Sequence, residues 1–512
     1  MPDQTQTLDA GQLGVHDMDA EAFRRYGHQT VDWIADYLAN IDDYPVLSRL
    51  TPDEVKARLP QEPPEEPEPM AHILADLDDV IMPGITHWNH PAFFAYFGIT
   101  GSGPGILGEF ISAALNVNGM LWKTSPAATE LEEVALDWLR QMLGLPPAFR
   151  GVIMDSASMS SLVAIAAARE RVPGLRTREE GLSGRPDAPR LRLYTSEQAH
   201  SSVEKGAITL GIGQRGVRQI PVDDAFRMDP RALARAIEED RAEGWQPFCV
   251  AATVGTTSTT SVDPVPEIAK ICQQHGLWLH VDGAYGGMAA LLPEVRHVLA
   301  GCEQVDSLVV NPHKWLFTPI DCSAFYVRQP EILRQTFSLV PEYLRTSEEA
   351  VTNYMDWGVQ LGRRFRALKL WMIIRYFGHR GLAARIREHI RLGQQFAQWV
   401  DEHPDFERTA PTPFSTVCFR ARPRRLVGDD TPTSQAYLEE LNAALLEAVN
   451  ATGRAYLSHT KLRNQYTLRL AIGNLRTTEA HVRQAWDLIQ QHAARLEARE
   501  QDAGQLLKSD DL

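Results

Sequence analysis

Lys314 has the sequence setting best suited to chemistry. It lies in Asn311-Pro-His-Lys-Trp315, directly after the apolar run Ser307–Val310. An ammonium held at the end of a buried strand among aromatic and proline neighbours is desolvated. Burial disfavours its charged form, lowers its pKa and leaves a nucleophilic amine suited to a Schiff base with a carbonyl. Upstream, Trp278-Leu-His-Val-Asp282-Gly-Ala-Tyr285 puts Asp282 at the C-terminal end of another apolar strand, where α/β sheets carry their ligands. Asp155-Ser-Ala-Ser-Met-Ser-Ser161 opens a helical run, Leu162–Arg169, and backbone N–H groups at a helix start bind phosphate. His200, in Gln198-Ala-His-Ser-Ser202, follows the strand Leu191–Tyr194 and suits stacking on a flat ring.

Taken singly, each residue also has an ordinary structural role. Lys314 fits a strand-capping lysine, Asp282 a turn aspartate, Ser156 a helix N-cap, and His200 is one of sixteen histidines. The pair Lys314 and Asp282 is more telling, because together they suit pyridoxal 5'-phosphate. A carboxylate at the pyridine nitrogen keeps that nitrogen protonated, so the ring accepts electrons from a substrate's Cα.

These residues need a scaffold that brings strand ends together. From about Gly151 to Arg328 short β-rich runs (Leu191–Tyr194, Phe248–Thr253, Leu277–Val281, Ser307–Val310, Ala324–Val327) alternate with helical stretches, which predicts an α/β domain with a mainly parallel sheet. Before it, apolar residues at Phe23, Tyr26, Val31, Ile34, Tyr37, Leu38 and Ile41 mark one face of a helix. The Pro- and Glu-rich stretch Pro60–Pro69 reads as an extended connector. After it, an amphipathic helix is expected over Gly362–Val400. Strands at Thr416–Arg420 and Tyr466–Ile472 then stand beside helices at Ser434–Asn450 and Thr478–Leu496, an α+β arrangement. The expected domains are a helical segment over 1–105, a large α/β domain over 106–395 and a small α+β domain over 396–512.

Composition narrows the function classes. The chain has 512 residues, 44% of them hydrophobic, and a net charge of −15, which suits a large globular protein and opposes binding to the phosphate backbone of nucleic acid. No apolar run approaches the roughly 20 residues that span a bilayer. The five scattered cysteines form no CxxC pair and predict neither a disulfide frame nor a metal site. The N-terminal sequence has neither the signal-peptide nor the transit-peptide pattern, so a cytoplasmic protein is expected.

Seven blocks give the chain a family resemblance. They are Ile81–Phe97 (IMPGITHWNHPAFFAYF), Ser125–Glu132 (SPAATELE), Thr253–Thr257 (TVGTT), the Asp282 strand, Asn311–Trp315 (NPHKW), Leu361–Arg366 (LGRRFR) and Leu468–Arg476 (LRLAIGNLR). From about Asp17 to Ala493 the chain resembles the group II pyridoxal-phosphate-dependent amino acid decarboxylases, of the aromatic-L-amino-acid, tryptophan-decarboxylase-like type. The resemblance implies fold type I (the PLP-dependent transferase-like α/β fold) and a homodimer with shared active sites. It implies that Lys314 links covalently to the cofactor, Asp282 pairs with the pyridinium and His200 stacks on the ring. Ser156, Ala157 and Ser158 would bind the phosphate with Asn311 and His313, while Ala284 packs on the ring and Thr257 lies near it. Tyr343 would return a proton to the substrate carbon from a mobile loop. The presence of both Tyr343 and His200 favours simple decarboxylation over oxidation to an aldehyde.

The same resemblance lines the substrate pocket with Trp88, Tyr96, Phe97 and Met120, partly from the partner subunit, and gives Gly362 the role of leaving room for a large ring. An aromatic L-amino acid is therefore expected, tryptophan first, with tyrosine, DOPA and phenylalanine as further candidates. The alternatives are an aromatic aldehyde synthase or a decarboxylase of a small polar amino acid such as 2,4-diaminobutyrate. A polar Asn118 in this pocket suits either an indole N–H or a phenol, or a structural hydrogen bond.

Overall fold

A computed structural model describes residues 8, 9, 12, 15–339 and 351–509. The chain divides into two compact units. One comprises 1–95, 443–458 and 476–512, and the other 96–442 and 459–475.

The second unit is built on a seven-stranded sheet: β1 (Arg150–Met154), β2 (Arg190–Ser196), β3 (Val217–Ile220), β4 (Trp245–Thr253), β5 (Trp278–Asp282), β6 (Ser307–Val310) and β7 (Ser323–Val327), in the order β1-β7-β6-β5-β4-β2-β3. Strands β2 to β6 pair parallel, while β7 runs antiparallel to both β6 and β1. All the others therefore point one way, and their C-terminal ends share one edge. Side chains alternate across the sheet. Leu279, Val281, Leu308 and Val310 enter one apolar cluster, Trp278 and Val309 the other. Burial on both faces explains why these strands read as nearly continuous apolar runs.

The five strands expected in this region are all present. β1 (Arg-Gly-Val-Ile-Met) escaped sequence reading because it opens on a charged residue and a glycine, and β3 (Val-Arg-Gln-Ile) because it sits at the sheet edge with little apolar signal. The helix expected from Gly362 begins at Ala367 and runs to Glu402, broken at Gly378, whose φ is 64°. Residues before it are drawn out of helical geometry: the Arg363 amide donates to Asn118 Oδ1 (2.9 Å), and its guanidinium reaches Glu132 (2.6 Å) and the Ile153 carbonyl (3.0 Å). A second sheet, of β8 (Phe406–Arg408), β9 (Thr416–Ala421), β10 (Ser458–Leu462) and β11 (Gln465–Ala471), has the order β10-β11-β9-β8.

The helix Gly103–Leu115 buries Gly105, Gly108 and Ser112 and exposes Leu107, Phe110, Ile111 and Leu115. The glycines are required by close approach: a Cβ at Gly108 would stand 2.7 Å from Lys369 Cα, and one at Gly105 2.4 Å from Pro319 Cδ. Small residues face inward and large apolar ones outward, the reverse of the usual surface helix.

In the first unit, the helix Ala20–Ala39 starts at Asp19, whose carboxylate accepts from the amides of Glu21 and Ala22. Phe23 and Val31 on its expected apolar face are exposed. Among the described residues no helix is long and apolar enough to cross a membrane.

Candidate active site

The common strand direction collects the predicted residues along one edge of the large sheet. Ser156 follows β1, His200 follows β2, Thr257 follows β4, Asp282 ends β5, and Asn311 to Lys314 follow β6.

The ends of β5 and β6 are tied together by backbone. Asp282 Oδ1 accepts from the Ala284 amide (3.0 Å), the Ala284 carbonyl accepts from the Asn311 amide (3.1 Å), and the Gly283 amide donates to the Val309 carbonyl (2.9 Å). Asp282 is buried, and its Oδ2 has no hydrogen-bond donor among the described residues. Burial pushes the Lys314 amine below its ordinary pKa, Asp282 opposes the shift and Arg469 adds to it. Its Nζ lies 5.3 Å from the centre of the Phe97 ring. His200 belongs to the same electrostatic group: desolvation lowers its pKa, Asp282 raises it and Lys314 lowers it. Its Nδ1 is fixed by the Ser202 amide and hydroxyl, at 3.2 and 2.9 Å.

An aromatic column stands beside the lysine. Phe97 stacks on Tyr285 (centroids 4.0 Å apart), and Tyr285 stacks on Trp315 (4.6 Å), whose Nε1 donates to His389 Nδ1 (3.0 Å). The Tyr285 hydroxyl bonds Ser415 at 2.8 Å. Thr257 is exposed on a loop held by the hydroxyls of Thr256, Thr259 and Ser261.

The Ala157–Glu170 helix starts at Ser156, whose hydroxyl accepts from the Met159 amide (3.3 Å). The N–H groups of Ala157 and Ser158 stand in the first turn, where no carbonyl of the helix can receive them. Gln360 and Ser156 both bond Asp155, at 3.0 Å each. On the lysine segment, His313 Nδ1 accepts from the Cys322 amide (3.0 Å), and burial brings its pKa down to about 4. The neutral ring therefore carries its proton on Nε2, which faces the Asn311 amide at 3.2 Å.

These groups fit pyridoxal 5'-phosphate. Among the described residues Asp282 Oδ2 has no donor and can accept from a pyridinium N–H, the first-turn amides of Ala157 and Ser158 have no acceptor and can donate to phosphate, and Lys314 is a depressed amine with no hydrogen bond or ion pair. When the Asn311 NH2 group faces His313, two N–H donors converge on one place, as an anionic oxygen demands.

The remaining predicted residues are distributed differently. Asn118, Met120 and Gly362 form a cluster of their own. Asn118 Nδ2 contacts Met120 Sδ (3.5 Å), and a Cβ on Gly362 would meet only Asn118, at 3.9 Å. Asn118 Oδ1 is taken by the Arg363 amide, which answers its structural alternative. Tyr96 is exposed, with φ 53°, and its carbonyl accepts from Arg469. Trp88 belongs to the first unit, its ring against Phe93 (4.3 Å). Tyr343 lies outside the described residues.

Arg469 was not singled out in sequence. It is buried on β11, its Cζ is 4.6 Å from the Phe97 ring centre, Nε donates to the Ser258 carbonyl (2.9 Å), and Nη2 has no hydrogen-bond partner among the described residues. The available signal was an arginine at an inward position of the Leu468–Arg476 block, where an unpaired charge is costly to bury.

Comparison with known proteins agrees with this geometry. Residues 52–422 match the model of the pyridoxal-dependent decarboxylase conserved domain. The chain is 42% identical over 485 residues to an aromatic-L-amino-acid decarboxylase of Catharanthus roseus, covering 92% of this chain and 94% of that one. It is 40% identical to a phenylacetaldehyde synthase of a Rosa hybrid cultivar, with 93% and 94% covered. The crystal structure of Oryza sativa TDC with PLP and tryptamine superposes with a TM-score of 0.89 at 38% identity, over 94% of this chain and 99% of that one. The free acceptor at Asp282, the depressed lysine and the shared strand edge thus have a common explanation: this chain belongs to the pyridoxal-dependent decarboxylase family, as a pyridoxal-phosphate-dependent carboxy-lyase.

Proposed function

We propose that the chain converts an aromatic L-amino acid, tryptophan first, to its amine and carbon dioxide. The observation that carries this reading is the depressed, unpaired Lys314 amine beside the stacked Phe97 ring. Lys314 holds the cofactor, Asp282 keeps its ring nitrogen protonated and His200 covers its face. Ser156, Ala157, Ser158, Asn311 and His313 hold its phosphate. Bound pyridoxal phosphate supplies the sink for the electron pair left at Cα when carbon dioxide departs. Arg469 provides positive charge that draws a carboxylate in, and Phe97 offers an aromatic wall to the side chain. The lack of a side chain at Gly362, whose Cβ would meet Asn118 at 3.9 Å, leaves room that suits an indole.

Tyr343 returns the proton to Cα. Tyr343→Phe is expected to lower amine formation by about 10²–10⁴-fold, the usual worth of a general acid.

The reading includes a cytoplasmic homodimer. A second copy would cover the exposed apolar face of the helix Gly103–Leu115 and the apolar residues of the N-terminal helix, and the five free, buried cysteines suit a reducing compartment. Phe110→Glu should then shift the sedimentation coefficient from dimer to monomer.

The aldehyde synthase reading is kept because a relative at 40% identity is a phenylacetaldehyde synthase. Mass spectrometry of products from tryptophan, tyrosine, DOPA, phenylalanine and 2,4-diaminobutyrate, with a parallel peroxide assay, decides between the two. Tryptamine without peroxide supports the proposal. Aldehyde with peroxide replaces it with the second reading.

A further inference from the structure

We propose that Ser160 and Ser323 are positioning residues that set which end of the Asn311 amide faces the cofactor phosphate. The proposal rests on Asn311 and His313 being phosphate ligands. Four side chains form one buried chain: His313 Nε2 is 3.2 Å from the Asn311 amide, whose other end is 2.7 Å from Ser323 Oγ. Ser323 Oγ is 3.2 Å from Ser160 Oγ, which is 3.2 Å from the Ser156 carbonyl. Both serines are fully buried.

The two hydroxyls have one proton each, and an amide's two ends are told apart only by their partners. This leaves two complete orderings. In the first, His313 Nε2–H donates to Asn311 Oδ1, the Asn311 NH2 group donates to Ser323, Ser323 donates to Ser160 and Ser160 donates to the Ser156 carbonyl. Every contact is satisfied without a ligand. In the second, Ser160 donates to Ser323, Ser323 donates to Asn311 Oδ1, and the NH2 group turns to face His313 Nε2–H. Two donors then converge and need an anionic oxygen between them. The Ser156 carbonyl loses the hydroxyl but keeps the Ser160 amide (3.1 Å).

Phosphate binding therefore works against reversal of the chain. Removing the Ser160 hydroxyl takes two hydrogen bonds from the first ordering and leaves the buried Ser323 proton unreceived. It takes only one from the second. The variant is pre-set for phosphate.

The test is equilibrium titration of cofactor-depleted wild type, Ser160→Ala and Asn311→Ala with pyridoxal 5'-phosphate, and with pyridoxal, which lacks the phosphate. Alanine is the best helix former, so Ser160→Ala keeps its helix. One hydrogen bond's worth of difference predicts about 3- to 10-fold tighter pyridoxal phosphate binding by Ser160→Ala, with pyridoxal unchanged. Equal or weaker binding of pyridoxal phosphate overturns the proposal, as does an equal gain for pyridoxal. If Asn311→Ala binds pyridoxal phosphate as wild type does, the phosphate-ligand reading itself fails, a result separate from failure of the serine chain.

Discussion

Two lysines in the second unit share a fate on folding and differ in what meets them. Lys369 is 1% exposed, donates to the Pro319 carbonyl (3.0 Å) and pairs with Glu109. Lys314 is also desolvated, yet among the described residues its Nζ has neither a hydrogen bond nor an ion pair, only the face of Phe97. Burial alone does not make an amine reactive. A carboxylate and a carbonyl turn Lys369 into a bolt between the helix Gly103–Leu115 and the segment after the site, whereas the lack of a partner leaves Lys314 available to a carbonyl compound.

The largest test of this contrast is Lys314→Ala, which should bring amine production to background while leaving the urea-unfolding midpoint at or above the wild-type value, since a desolvated amine with no hydrogen bond or ion pair stabilises nothing. Lys369→Met should do the reverse, leaving kcat measurable and destabilising the fold by about 3 kcal/mol, because the Pro319 carbonyl loses its donor and Glu109 keeps only Arg364 as its cation.

The pH dependence of stability reports a set of buried histidines held neutral. Burial brings the pKa of His280, His313 and His389 down to about 4, while the unfolded imidazole titrates near 6.5. Between these values the unfolded state binds the protons first, so stability is complete above about pH 6.5 and falls toward pH 4, by about 1.4 kcal/mol per pH unit for each histidine. Urea unfolding from pH 7.5 to 4.5 reads this slope, and His389→Asn should lower it by one proton. Asp263, which burial raises to about 6, opposes this slope by one proton below that pH. The smallest effect is expected from Gly108→Ala, whose new methyl meets the Lys369 backbone and should cost about 1–3 kcal/mol by overpacking.

Much of the site was legible because strand-end chemistry is local. The sequence around Lys314 and Asp282 shows an apolar run, an abrupt polar residue and small neighbours, and the fold needs only parallel strands to bring the two together. Arg469 was not legible. Its meaning comes from a contact between β11 and the Phe97 segment, far away in sequence, and an arginine in a strand carries no mark of what it will face. The helix Gly103–Leu115 has an apolar composition, but which of its sides would be buried was set by the close approach to Lys369 and Pro319, which only glycine permits.

The sequence by itself determined the alternation of strands and helices, the placing of a candidate lysine and carboxylate at strand ends, and the family to which the chain belongs, since each depends on short-range pattern and residue type. Tertiary structure decided which desolvated lysine is paired and which is free, where the Arg469 charge falls and that Ser160, Ser323 and Asn311 meet in one chain of contacts. Hydrogen bonding and desolvation act over a few ångströms in space, and no spacing along the chain records which groups will meet at that range.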